Sequence, residues 1–239
     1  WETMGGGNWA TDPLYAPKVL GVWRSMLAHA GVPEPPPRTV GLAPELRVGW
    51  TYPRTTRAWD RILHIANRAE ELGFDSLWFG EHVLAKWNRR APIFDFFTLA
   101  AGIAAAVPRI ALGFCVVNST FRNPALTAKM GATLDAISHG RLILGLGAGF
   151  KETEAQAWGV PFPDTKERLA ILSEHFEIIS RLTTAGADPL TCEGRYARVH
   201  DLAGAPHGAQ QPRIPLLIGG HGRNVTMRLA AKYCDEIGI

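Results

Sequence analysis

The sequence predicts an α/β fold built on a parallel sheet. Of the two architectures such a sheet takes, the (β/α) barrel fits it better than the doubly wound form. Three observations carry this. From Leu46 onward, short apolar runs alternate with stretches of helical period, in units of about 30 residues. The apolar runs are continuous rather than alternating, as in strands covered on both faces by helices. Polar residues recur just past the C-terminal ends of several runs: Thr51 and Tyr52, Glu81 and His82, Asn118 and Ser119, the glycines after Leu146, and His221. A ring of strand ends is how a barrel assembles a site, whereas a doubly wound sheet uses one crevice. The glycine loop after Leu146 is also not GxGxxG, and no acidic residue closes a second strand about twenty residues later, as a dinucleotide site requires.

The elements follow in order. Leu46 to Trp50 is a short strand. Trp59 to Leu72 carries apolar residues at 59, 62, 63, 66, 69 and 72, a helical spacing, and Gly73 closes that helix. Ser76 to Gly80 is the next strand, Phe94 to Val107 an alanine-rich helix, and Ile110 to Val117 a strand. Asn123 and Pro124 supply an N-cap and a first-turn proline to a helix expected to bury Leu126, Met130, Leu134 and Ile137. Leu142 to Leu146 is a strand that runs into Gly145, Gly147 and Gly149, where the backbone can take conformations closed to other residues. Taken alone, that loop reads as a turn about as readily as a site. Asp164-x-x-Glu167 is a capping-box pattern opening a helix with Leu169, Leu172, Phe176, Ile179 and Leu182 on its buried stripe. Residues 185 to 213 form a proline- and glycine-rich insertion, with an extended piece around Arg195 to Val199. Ile214 to Ile218 is a strand, Val225 to Tyr233 a helix, and Glu236 to Ile239 opens a sixth strand. Residues 1 to 44, with GGG at 5 to 7 and PEPPP from Pro33 to Pro37, are expected to form a poorly ordered arm outside the core.

Composition narrows the function classes. The 239 residues are 46% hydrophobic and 20% charged, ordinary for a globular protein. A formal charge of +3 with no Lys/Arg block gives no reason to expect nucleic acid. Cys115, Cys192 and Cys234 are far apart, with neither CxxC nor histidines at metal spacing, so no disulfide framework and no metal site are expected, which fits a reducing cytoplasm. No apolar run reaches about 18 residues and no charged-then-apolar leader is present, so neither a membrane span nor export is indicated.

Five segments, AEELGFDSLWFGEH (69 to 82), RIALGFCVVNSTFRNPALTAK (109 to 129), LDAISHGRLILGLGAGF (134 to 150), EAQAWGVPFPDTKERLAILSEHFEII (154 to 179) and PLLIGGHGRNVTMRLAAKYCDE (215 to 236), together resemble the bacterial luciferase-like monooxygenase superfamily. The resemblance is particularly to its branch of deazaflavin (coenzyme F-420)-dependent oxidoreductases. The segments keep the family's order and cover most of residues 46 to 239. The resemblance implies a TIM-type (β/α)8 barrel over residues 45 to 239, here lacking the last two βα units that members carry after the strand at Glu236. It also implies coenzyme F-420 or FMN as cofactor and a small organic substrate. A deazaflavin would move a hydride, whereas reduced FMN would activate oxygen for monooxygenation. The phosphate-binding loop serves both cofactors; the AWGVPFP segment resembles the deazaflavin branch more.

Site residues follow, each with a structural alternative. His82 matches the position of a catalytic or cofactor-contacting histidine in the family, and an imidazole there could bond a flavin-type ring or move a proton. Its alternative is a strand-end histidine bonded to backbone. Cys115 and Val116 match a bulge with a non-prolyl cis peptide against which the cofactor ring packs; otherwise Cys115 is a small buried strand residue. Asn118 could donate to a ring carbonyl or ribityl hydroxyl, or satisfy its own loop. Gly147 to Phe150, Gly149 among them, would line the cofactor's side chain or ring edge. Gly219, Gly220, Gly222 and Arg223 form a helix-entry loop that the family uses for the cofactor's phosphate, and which is otherwise a tight turn.

Glu81, Glu152 and Glu154 could act as acids, but solvent-exposed loop carboxylates are common and they are given little weight. Trp50, Trp78, Phe79 and Trp87 could wall a substrate pocket, with core packing favoured for Trp78 and Phe79. The rival reading is an inactive cofactor-binding chain, or a partner subunit completing a larger barrel; a homodimer is a further possibility. A sugar-phosphate hydrolase or isomerase would need paired inward carboxylates at strand ends, and only Glu81 qualifies.

Overall fold

The strands of the main sheet pair in the order in which the chain makes them. A computed structural model describes residues 49–51, 58–84, 93–204 and 206–238; the expected N-terminal arm, the start of the Leu46 strand and Trp87 lie outside these. The sheet runs β1 (Gly49–Thr51), β2 (Ser76–Phe79), β3 (Ala111–Phe114), β5 (Leu142–Gly147), β8 (Leu216–Gly219) and β9 (Glu236–Gly238), all parallel, with β4 (Val117–Asn118) also beside β5. A doubly wound sheet reverses direction at a switch point. None occurs here, so the sheet has the order of part of an α/β barrel.

Helices α1 (Trp59–Glu71), α2 (Phe96–Ala106), α3 (Pro124–Ile137), α4 (Glu152–Trp158), α5 (Thr165–Leu182) and α6 (Thr226–Tyr233) fill the crossovers. Their ends follow local chemistry. Asp95 accepts from the Thr98 N–H, Asn123 from the Ala125 N–H ahead of Pro124, and Asp164 from the Glu167 N–H. Gly73 follows α1 at a φ of 81°, a left-handed stop that other residues adopt only with strain.

Three expectations change. The strand expected over Ile110 to Val117 is broken: β3 ends at Phe114, the Cys115–Val116 peptide is cis, and the chain resumes as β4. In α3, Leu126 is 52% and Ile137 40% exposed, while Thr127, Ala128, Gly131, Ala132, Leu134 and Asp135 face inward. Small residues carry the buried side because α3 lies close on β5: a Cβ on Gly131 would stand 3.1 Å from Leu144 Cδ2. In the insertion, the extended piece belongs to a hairpin, β6 (Leu190–Glu193) paired antiparallel with β7 (Arg198–Leu202).

The core centres on β5, buried along its whole length, and on Phe114, whose ring meets Phe96 and Phe97 at 4.7 Å and Phe79 at 6.2 Å. Two side-chain staples hold it, one half-buried and one buried. Arg141 donates to the carbonyls of Ala104, Val107, Ile110 and Ser138, which closes the C-terminal end of α2 onto β3. Asp135 accepts from the Leu142, Ala209 and Gln210 N–H groups and from the Gln210 side chain, tying the insertion to α3 and β5.

Candidate functional site

Parallel pairing puts the C-terminal ends of β2, β4, β5 and β8 on one side of the sheet, and the polar residues after each end gather there. After β2 come Glu81 and His82. Nδ1 of His82 lies 2.9 and 3.2 Å from the two oxygens of Glu154 and 3.1 Å from Nζ of Lys151, which is itself 3.1 Å from Glu154 Oε1. The three side chains are 11%, 5% and 26% exposed, in the order His82, Glu154, Lys151. Phe150 stands edge-on to the imidazole, with ring centres 6.0 Å apart. Lys151 and Glu154 reach His82 because the chain turns into α4 immediately after the glycine loop, which sets Glu154 in the first helical turn.

Glu81 faces the other way. One oxygen accepts from the Asn118 N–H at 2.7 Å, and the other is hydrogen-bonded to the Arg122 guanidinium. Burial pushes the Glu81 carboxyl above its ordinary value, and the Arg122 and Asn118 bonds pull it back. The expectation that Glu81 and Glu154 are exposed is therefore wrong: both are buried, each with a cation of its own, because a carboxylate leaves water only when it is paired. Glu152 is exposed as expected.

The glycines turn out to seat neighbouring side chains. A Cβ on Gly147 would come within 2.4 Å of one Val116 methyl, and one on Gly219 within 2.6 Å of the other. Val116 thus fills a slot whose two walls are bare backbone. Gly149 has a φ of 72°, and its missing side chain leaves room for the Asn118 amide. The Asn118 oxygen accepts from the N–H and hydroxyl of Thr120, so the loop-satisfying role holds for that atom. Cys115 is exposed rather than buried, because the break after Phe114 turns it out of the strand.

The second glycine loop runs from Gly219 to Val225. Gly220 has a φ of 125° and donates its N–H to Gly238. His221, Gly222 and Arg223 are exposed, and no side chain caps α6. His82, Cys115, Val116, Asn118, Gly147 and Gly149 therefore cluster at the ends of β2 to β5, and Gly219 joins them through Val116. Gly220, Gly222 and Arg223 sit at the end of β8, three strand spacings or roughly 14 Å from β2.

Sequence reading gave Glu154 little weight and missed Lys151 and Arg122. The Lys151-x-x-Glu154 spacing is the one signal that pointed to a paired first turn. A groove of about 370 Å³ walled by Trp59, Phe94 and Leu99 lies between α1 and α2 and contains none of these residues. Among the described residues, no cluster of His, Cys, Asp or Glu could hold a metal, and no helix is long and apolar enough to cross a membrane.

Comparison with known proteins fits this geometry. Residues 43–239 match the sequence pattern of the luciferase-like monooxygenase family. An F420-dependent glucose-6-phosphate dehydrogenase of Intrasporangium calvum is 34% identical over 197 residues, covering 81% of this chain and 56% of that protein. A 4-hydroxyprotoasukamycin monooxygenase of Streptomyces nodosus subsp. asukaensis is 31% identical over 173 residues, covering 72% of this chain and 45% of that protein. The fold is also that of an F420-dependent secondary alcohol dehydrogenase solved with an F420-acetone adduct, with a TM-score of 0.71 at 24% identity over 80% of this chain and 57% of that one. The chain thus spans about half the length of the curated relatives it matches.

Proposed function

The chain belongs to the luciferase-like monooxygenase family, and from that premise we propose that it is an oxidoreductase binding a flavin-type cofactor, coenzyme F-420 or FMN, at the C-terminal side of its parallel sheet. The observation that carries the reading is the convergence, on that side, of the Glu81–His82 segment, whose Glu81 N–H donates to the Val116 carbonyl, with Val116 seated between Gly147 and Gly219. The residues fit such a group. Exposed Cys115 and the seated Val116 offer a face for a ring, while the uncapped start of α6 and exposed Arg223 offer N–H groups and charge to a phosphate. When bound, the cofactor supplies the redox chemistry, as a hydride carrier if it is a deazaflavin or as an oxygen activator if it is reduced FMN.

The chain's own part is to bind, to orient, and to hold a proton at His82 beside the reacting face. Similarity to F420-dependent dehydrogenases favours coenzyme F-420, and a small organic molecule is the substrate class. The test is fluorescence titration of the chain with coenzyme F-420 and, separately, with reduced FMN. Arg223→Ala is expected to weaken binding of the preferred cofactor about tenfold, the size of one charge-assisted contact. His82→Ala is expected to bind within a few-fold of the unaltered chain and to lower turnover by about 10² to 10⁴. A folded chain that binds neither cofactor overturns the reading.

A further inference from the structure

We infer that Glu81 is a positioning residue whose side chain stands in for a main-chain carbonyl of the sheet and so fixes the Val116–Asn118 segment. Its consequence for a cofactor rests on the proposed function; the hydrogen bonds themselves do not.

In a parallel ladder one residue reaches the neighbouring strand twice. Its N–H donates to the carbonyl before the residue opposite, and its carbonyl accepts from the N–H after it. Strands β2 and β3 pair in this way up to Phe79 opposite Phe114, where the Phe79 carbonyl takes the Cys115 N–H at 2.8 Å. Both strands end there. Two residues on, Glu81 takes up the pattern again, opposite Val117. Its N–H donates to the Val116 carbonyl at 3.4 Å, and the buried Asn118 N–H donates at 2.7 Å to the Glu81 side chain, at Oε2. The carboxylate thus closes the ring that a main-chain carbonyl closes in a regular ladder.

Arg122 holds the carboxylate in that place. Its guanidinium binds the other oxygen and lies over the rings of Phe96 and Phe97, 5.7 and 5.4 Å from their centres. On its far side the segment pairs with β5, Val117 opposite Leu146 and Asn118 opposite Gly147. Val116, seated between Gly147 and Gly219, and Asn118, against Gly149, are therefore held from both sides, and Glu81 supplies the side towards β2. A carboxylate suits this task because it offers an acceptor to each of two donors, whereas a side-chain amide has one oxygen for both.

The experiment is amide hydrogen exchange, read by NMR in the chain without cofactor. The Asn118 N–H is compared with those of Leu112 and Leu144, which donate to main-chain carbonyls. In Glu81→Gln the single oxygen goes to the guanidinium, the charged donor. Relative to the two reference amides, the Asn118 N–H is then expected to exchange about 10- to 100-fold faster, the worth of one charged hydrogen bond. Adding Arg122→Met releases that oxygen, and protection is expected to return to within a few-fold of the unaltered chain; two merely destabilising changes would add instead. Glu81→Leu with Arg122→Met supplies no oxygen and is expected to keep the fast exchange, a second readout if Glu81→Gln does not fold. Titration of the same proteins with coenzyme F-420 and with reduced FMN is expected to show a Kd about tenfold higher in Glu81→Gln, recovered on adding Arg122→Met. An unmoved Asn118 rate in Glu81→Gln, no recovery with Arg122→Met, or slow exchange in the Leu and Met pair overturns the assignment. Unchanged affinity in a Glu81→Gln chain whose Asn118 exchanges fast overturns its consequence for the cofactor. If the unaltered chain binds neither cofactor, the proposed function fails, while the exchange rates still decide what holds the segment.

Discussion

Val116 shows how a glycine can matter to a site without touching its ligand. Both of its methyls press on backbone where Gly147 and Gly219 lack a Cβ, so the glycines keep their place through Val116. Gly147→Ala is therefore expected to destabilise the chain by about 1 to 3 kcal/mol through overpacking. In a Val116→Ala background the same substitution has room, and its cost should fall by at least about 1 kcal/mol. Urea denaturation of the two single variants and the double variant measures the coupling; additive costs would contradict the contact. The sequence singled out all three residues, yet nothing in it ties position 116 to 147 and 219, since their meeting depends on β4, β5 and β8 lying side by side. Glu154 was misjudged for a related reason. Its partner is 72 residues away in the sequence, and a glutamate five residues past Gly149 looks exposed until a histidine is placed against it.

At the scale of elements, caps and turns were the most legible features, because their chemistry is local. Asn123-Pro124, Asp164-x-x-Glu167 and Gly73 all act where the sequence placed them. Faces were less legible. Leu134 is buried as expected, but most of the buried side of α3 is made of Thr127, Ala128, Gly131 and Ala132, which hydrophobic spacing ranks below the exposed Leu126 and Ile137. Helix α4 escaped notice because seven residues are too few to show a period. Arg141 is the element-scale device that no local pattern reveals, being one guanidinium on the carbonyls of Ala104, Val107, Ile110 and Ser138. Arg141→Met keeps the stem and strips these bonds. It is expected to cost about 3 kcal/mol, since charged hydrogen bonds are worth about 1.5 to 3 each and water replaces some of them. A loss under about 0.5 kcal/mol in chemical denaturation would show that water serves those carbonyls equally well.

For the whole molecule, alternating βα units were legible, while the choice between a barrel and a doubly wound sheet rested on strand ends until the pairing order decided for the barrel type. Global stability should carry a mark of His175, buried on α5 with its pKa lowered to about 4, by desolvation first and in spite of Glu174. A depressed value means the folded state resists protonation. The contribution is full above the unfolded value of 6.5 and is lost as pH falls from there through about 4. That loss amounts to roughly 3 kcal/mol. Comparing urea midpoints at neutral pH and near pH 4, the fall should be smaller in His175→Gln than in the unaltered chain; equal falls would show that the ring is not held neutral.

The order of the strands also bears on how the molecule comes to be folded. From β1 to β5 each strand pairs with one made about 30 residues earlier, so each pairing closes a loop costing about 3 kcal/mol, whereas β8 returns to β5 only after the 72 residues between Leu144 and Leu216 have been made. The sheet can grow at one edge as the polypeptide leaves the ribosome, β1 with β2, then β3, then β5, each new unit docking on the last. Up to β5, folding of this kind keeps pace with synthesis; the far edge of β5 stays open until the insertion has been made.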